Sequence, residues 1–496
     1  MTLRLFSFVL CAALLSGCGT QVLNPVTGES ERSVMTEADE IAEGARLHKQ
    51  VVEAYGALDD PKLQAYVNDV GQRLAAKSHR PDLRWTFTVL DSPEINAFAL
   101  PGGYVYVTRG IMAYLDSEAD LAGVMGHEIG HVTARHGAQR ATRQQRAGIG
   151  VFAATVLGAV LEGAGVQGAT DMVGQVSQGV AAGAIASYSR EQELQARRLG
   201  AGDLARPPYD PDSMVAVIQL LRDQARFAAD AAKREGRSAD EGSNWLASHP
   251  TNERRLQDIR EIAAGYTGEY GDDSRARYLD AIAGMPFAET REQGVVRGRN
   301  FFHEPLGIAL TAPENWQIRN TPEAVLIVNA AGDAGLIVRV VPPQGGSTHE
   351  EIIGKLKVDQ LRTERTTLHG LAATRFSGTR RNAQGQALPI RATVVTTPSG
   401  RNLLLVHAGR DGAAMQRAQA ALQQTESSLR PLTAADRTAA KPWVVKVVAY
   451  PRGGFEQLAK QSPLDTRPEA HLRLLNGLYE GGEPKVGQRV KVIGVK

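Results

Sequence analysis

The sequence predicts a multidomain α+β protein: a mainly helical unit first, then a strand-rich α+β unit, then a small βααβ module. Three observations carry this expectation. The chain has 496 residues, more than the roughly 100–200 residues of one ordinary domain. Apolar residues recur at helical spacing through much of the first part and at strand spacing beyond about Arg299. A hydrophobic share of 43% excludes wholesale disorder. The 56 basic and 54 acidic residues leave a formal charge of +2, too balanced for a surface that neutralises a row of phosphates, so no nucleic-acid partner is expected.

The amino terminus reads as an address. Arg4 precedes the apolar stretch Leu5 to Leu15, which has the length of a secretory h-region and falls short of the roughly 18–20 residues that span a bilayer. Residues 1–17 are therefore expected to be a cleaved signal peptide. The string Leu15-Ser16-Gly17-Cys18 resembles the bacterial lipobox. That resemblance implies acylation of Cys18, a lipidated tether over 18–35 and, with Gly19 following, the inner leaflet of the outer membrane facing the periplasm. Acyl chains anchor by about 0.8 kcal/mol per buried methylene. The chain's two cysteines, Cys11 and Cys18, both lie here, so the folded body has no thiol for a disulfide, a thiolate metal site or nucleophilic catalysis.

The elements follow in order. Thr36 with Asp39 three residues on opens a helix to Tyr55, and a second covers Pro61 to Lys77. Trp85, Phe87 and Val89 alternate with polar residues as in a half-buried strand, and Ile95 to Leu100 and Tyr104 to Thr108 flank Gly102-Gly103 as two more. Ser117 and Asp120 start a helix expected to run from Glu118 to about His136. An uncharged run from Ala147 to Leu161 is too short for a membrane span and reads as a packed or lid-like helical pair, or as a segment dipping into a lipid surface. Helical patterns cover Tyr188 to Leu204 and a stretch ending near Lys233. From 299 to 432, strand-like runs accompany helices at Glu350 to Leu361 and Ala413 to Leu429. From 441 to 496 the order is strand, helix, helix, strand.

The chemistry sits in Gly126-His127-Glu128-Ile129-Gly130-His131, an H-E-x-x-H on the helix that starts at Glu118. At 100° per residue, His127 and His131 differ by about 40° around the axis, so both imidazoles leave one face and can share a metal ion. Glu128 lies about 100° away, suited to reach a water on that ion as general base. A catalytic zinc takes three protein ligands and keeps one position open. His136 falls about 180° from His127 while the helix continues, and reads as a surface or packing histidine.

With these residues the sequence resembles the M48 family of zinc metallopeptidases, whose pattern on a later helix appears here as Ser189-Arg190-Glu191-Gln192-Glu193-Leu194-Gln195-Ala196-Arg197. The resemblance implies a zincin-type metallopeptidase domain over 36–290, one Zn²⁺ held by His127, His131 and Glu193, and an endopeptidase acting on misfolded or stalled envelope proteins. Glu191 is the local rival of Glu193. The family's aspartate is replaced by Arg197, four residues after Glu193, where it can pair with that carboxylate and weaken the site. Ser248-His249-Pro250 and Arg255 resemble the family's downstream segment, which implies that His249 occupies or gates the open zinc position and that Arg255 stabilises the oxyanion. The strands around Tyr104, Val105 and Tyr106 resemble the family's strand pair before the zinc helix, and an edge strand there is expected to bind extended substrate. The module at 441–496 resembles LysM, which implies peptidoglycan as a partner. The competing expectation is a weakly active or inactive assembly or cell-wall scaffold, favoured by Arg197.

Overall fold

The computed structural model describes residues 20–146, 188–205, 209–234, 249, 253–266, 274–321, 324–381 and 387–496. The leader, Cys18 and the 147–187 stretch lie outside the described residues. Helices mix with several separate sheets, an α+β arrangement built from more than one unit. No helix among the described residues is long and apolar enough to cross a membrane.

A hairpin of β1 (Thr20–Leu23) and β2 (Ser30–Ser33) leads into α1 (Glu37–Tyr55), where Thr36 and Asp39 satisfy each other's backbone N–H groups in a capping box. α2 (Pro61–Ala75) begins on Asp60 with proline in its first position, where a missing N–H is harmless. Its buried Leu63, Val67, Val70 and Leu74 repeat at helical spacing and join the main core. A three-stranded sheet follows, in the order β3 (Thr86–Leu90), β5 (Tyr104–Thr108), β4 (Ala97–Leu100).

Of the strand pair expected to offer an edge, Tyr104, Val105 and Tyr106 lie on the inner strand, and the pair's sheet edge is β4. β5 is the central strand, parallel to β3 and antiparallel to β4, so both of its sides already carry ladder partners. Tyr106 is fully buried, with its hydroxyl 2.8 Å from His48 Nδ1.

After α3 (Arg109–Tyr114) comes α4 (Glu118–Thr133), capped by Ser117 and Asp120 and buried along its whole length. A helix hidden on every side must be surrounded, and α4 is packed by α2, α6 (Arg190–Ala205), α7 (Asp212–Arg234) and α9 (Arg275–Ile282). Its first residue anchors several of them. Glu118 is completely buried and accepts from Tyr66 (2.8 Å), Arg73 (2.9 Å), Arg277 (2.7 Å) and Tyr209. The helix ends at Thr133, earlier than the expected His136, because Arg135 takes φ 57°, a left-handed conformation through which an α-helix cannot continue. α5 (His136–Arg146) then starts afresh.

The next unit has two sheets. β7 (Val295–Arg297), β8 (Asn300–His303), β9 (Ile308–Thr311) and β17 (Arg430–Pro431) form one. The other is a seven-stranded antiparallel sheet, β10-β11-β12-β16-β15-β14-β13, made of Gln317–Asn320, Val325–Val328, Ala334–Val340, Asn402–Gly409, Ala387–Thr396, Leu371–Arg381 and Asp359–Leu368. Two separate apolar clusters form on it, one containing Leu422 of α11 (Gly412–Ser427), the other Ile352 and Ile353 of α10 (His349–Lys355). The helix expected over Glu350 to Leu361 stops at Lys355, since Lys357 has φ 51° and β13 takes the chain from Asp359 into the ladder with β14.

After α12 (Ala434–Ala439), the last segment runs β18 (Trp443–Ala449), α13 (Gly454–Ala459), α14 (Pro468–Leu475), β19 (Arg489–Val495). It is not packed as a free-standing module. β18 pairs with β19 on one side and with β6 (Pro286–Phe287) on the other. Phe455, Leu472, Leu474, Leu475, Val490 and Ile493 share one continuous core with Leu121, Met125 and Ile129 of α4. Lys491 of β19 is fully buried, its ammonium donating to the carbonyls of Ala113 (3.1 Å), Tyr114 (3.0 Å) and Leu115 as α3 ends.

Candidate metal centre

Small residues bring the pieces together. Gly126 and Gly130 on α4 face Ala196 and Gly200 on α6: a Cβ at Gly130 would stand 2.7 Å from the Ala196 carbonyl oxygen, and one at Gly200 would stand 3.0 Å from the His127 nitrogen. At Gly130 and Gly200 only glycine fits that crossing. It sets Glu193 against the two histidines of α4, and His249, ahead of α8 (Glu253–Ala264), completes a buried cluster whose donor atoms all lie within 4.8 Å of one another.

The spacing matches what an ion needs. A tetrahedral ion with bonds of about 2.0–2.1 Å holds its donors about 3.3 Å apart. Here His127 Nε2 stands 3.1 Å from His131 Nε2 and 3.1 Å from His249 Nδ1, and Glu193 Oε1 stands 2.9 Å from His249 Nδ1 and 3.5 Å from His131 Nε2. Three imidazoles and one carboxylate form a nitrogen and oxygen set that suits zinc. Taken without His249, the set is three ligands and an open corner; taken with it, the corner is filled.

Burial drives His127 well below the ordinary imidazole range and His131 down to about 3, so both rings are neutral donors. Burial opposes charge on Glu193 too, yet His249 beside it holds its carboxyl far below the usual range. For His249 the burial penalty is outweighed by Glu193 and Glu128, and its pKa rises. Glu128 is fully buried, with Oε1 3.5 Å from His249 Nε2. It therefore stands beside the cluster without belonging to it.

The remaining candidates divide. Glu191 is exposed and outside the cluster. Arg197 is 2% exposed and places Nη2 3.3 Å from Glu193 Oε2. Arg255 lies on α8, and its side chain is outside the described residues. His136 is neither at the surface nor remote: because the chain breaks at Arg135, its ring returns over His131, Nδ1 to Nδ1 at 2.9 Å. Helix arithmetic does not find it, and no sequence signal points to Tyr188, whose ring stacks on His131 with centroids 3.8 Å apart.

Residues 61–263 match Peptidase family M48. The chain is 30% identical over 269 residues to the beta-barrel assembly-enhancing protease of Yersinia pestis, covering 52% of each protein. It is 31% identical over 243 residues to the protein of that name in Escherichia coli K12, covering 48% of this chain and 47% of that one. It is also 29% identical over 218 residues to the mitochondrial metalloendopeptidase OMA1 of Schizosaccharomyces pombe, covering 43% of this chain and 58% of that one. The chain spans about half the length of the curated relatives it matches. Residues 61–263 thus form a peptidase M48 domain. The chain is homologous to the beta-barrel assembly-enhancing proteases.

Proposed function

We propose that this protein is a zinc-dependent endopeptidase of the bacterial envelope. The observation that carries the reading is the buried convergence of His127, His131 and Glu193 with Glu128 alongside, inside the M48 match. A zinc ion in this cluster supplies a polarised scissile carbonyl and a water acidic enough to react near neutral pH. Glu128, beside the cluster, would serve as general base toward an attacking water and would return the proton to the leaving amine. Arg255 stabilises the oxyanion. His249, as a fourth donor, would have to leave the set for substrate to reach the ion.

The substrates are misfolded or stalled envelope and outer-membrane proteins, a reading supported by relatives named for assembly of β-barrels. The signal-like leader and the lipobox at Cys18 support a periplasmic protein anchored to the outer membrane's inner leaflet. The strand, helix, helix, strand order of the last segment supports peptidoglycan as a further partner.

The test is casein digestion with and without a chelator, beside Glu128→Gln. Cleavage that needs metal and disappears in the variant supports the enzyme. A second reading, a scaffold with little turnover, is favoured by the Arg197–Glu193 contact and by His249 sitting among the donors. No cleavage by any form, with metal bound, supports it.

A further inference from the structure

We propose that His136 and Gln195 are positioning residues that fix the tautomer of His131 and aim its Nε2 at the metal. The inference rests on the zinc reading above and adds residues to it. Gln195 presents its side-chain carbonyl oxygen to His136 Nε2 at 2.9 Å. That oxygen only accepts, so His136 Nε2 carries the proton, and the neutral ring then has an acceptor at Nδ1. Facing it at 2.9 Å is His131 Nδ1, which must therefore be the N–H. The proton of His131 is thus held on Nδ1, and the lone pair stays on Nε2, the atom that faces His127 Nε2 at 3.1 Å and Glu193 Oε1 at 3.5 Å. Two consecutive hydrogen bonds select the one tautomer in which His131 can ligate through Nε2.

The backbone is built to deliver this contact. Arg135 holds φ 57° while its guanidinium donates to Glu40 Oε1 at 2.6 Å and to the Met35 carbonyl at 3.0 Å. Glu40 is itself buried and also accepts from Arg80 at 3.1 Å. This anchor ends α4 two residues after His131 and turns His136 back over that ring. Tyr188, stacked on His131, restricts its plane from another side.

The experiment measures zinc affinity by competition with a chromophoric chelator, and the visible spectrum of the Co²⁺-substituted protein, for the full chain and three variants. His136→Phe keeps the bulk and removes the acceptor; it should lose about 10- to 100-fold in affinity and change the Co²⁺ spectrum. His136→Asn keeps an acceptor oxygen near the position of Nδ1 and should recover most of the loss. Gln195→Leu frees the tautomer of His136 and should fall between wild type and His136→Phe. Wild-type affinity and an unchanged spectrum in a folded His136→Phe protein overturn the proposal while leaving the metal site intact. Should that variant not fold, Gln195→Leu decides, and wild-type behaviour there overturns it equally. A wild-type chain that binds neither ion overturns the zinc reading itself.

Discussion

Replacing Arg197 by aspartate should tighten zinc binding by about 10- to 100-fold, or about 1.4–2.8 kcal/mol. The guanidinium stands 3.3 Å from Glu193 Oε2, and the two side chains are 2% and 1% exposed. Unit charges about 4 Å apart are worth about 4 kcal/mol at an effective dielectric of 20. Arg197 also lowers the proton affinity of both His127 and His249. A group that repels a proton from these rings repels a dication more strongly. Glu128 and Glu193 against Arg197 leave one net negative charge, and aspartate would make it three. Much of the Coulomb gain is offset by burying a further carboxylate and by losing the donor that orients Glu193, so only about a third to two thirds of that 4 kcal/mol survives as affinity. The same burial predicts a cost without metal: breaking a buried ion pair destabilises by about 3–5 kcal/mol, so the chelated variant should melt well below wild type and regain stability as zinc is added. Arg197→Met, which removes the repulsion without adding a carboxylate, should bind with intermediate strength. Competition titration and thermal melts with and without zinc provide the readout. An Arg197→Asp protein that folds when loaded but binds zinc no better than wild type refutes the reasoning.

His249→Ala removes the donor that fills the fourth corner, so casein turnover should rise while zinc affinity falls; turnover dropping instead would mean that His249 works in the chemistry and does not gate it. Glu118→Gln leaves Arg73 and Arg277, both partly exposed to solvent, facing a neutral amide, and denaturant melts should show a loss of about 1–3 kcal/mol, less than a pair buried on both sides would give. Burial alone would raise the Glu118 pKa, but its bonds from Arg73, Tyr209, Arg277 and Tyr66 lower it below the ordinary 4.5. Its stabilisation is therefore complete above about pH 4.5 and lost as pH falls through the lowered value, and the acid limb of a stability profile should flatten in Glu118→Gln. Deleting 441–496 strips Leu472, Leu474 and Leu475 from the core that α4 shares, so the remainder should lose cooperative unfolding; Leu472→Ala, the milder probe, should cost about 2–5 kcal/mol by denaturant titration.

How far the fold was legible depends on how local its causes are. The starts of α1, α2 and α4 could be read directly, because Thr36, Asp60 with Pro61, and Ser117 satisfy N–H groups within three residues of themselves. The last segment was different. Its strand, helix, helix, strand order is local, but its packing is set by β18 pairing with a two-residue strand at Pro286–Phe287, some 156 residues earlier, and by Lys491 reaching carbonyls at 113–115. Nothing near residue 491 in the sequence announces a lysine that will be fully buried, since a lysine in an exposed strand looks the same.

The centre shows the same division within a few ångströms. His127 and His131 share a face because four residues make just over one turn, and α4 is regular between them, so periodicity placed both rings. The same arithmetic sent His136 to the far side, since it assumed a helix that Arg135 had already ended. The cause of that break is a carboxylate on α1, Glu40, ninety-five positions away. A hint was nevertheless present. Gly130 on the H-E-x-x-H helix and Gly200 on another, with the small Gly126 and Ala196 at matching spacing, are residues that two closely crossing helices require. Read together, they place α6 against α4 at the level of His127 and His131, which favours Glu193 over the exposed Glu191 on packing grounds alone.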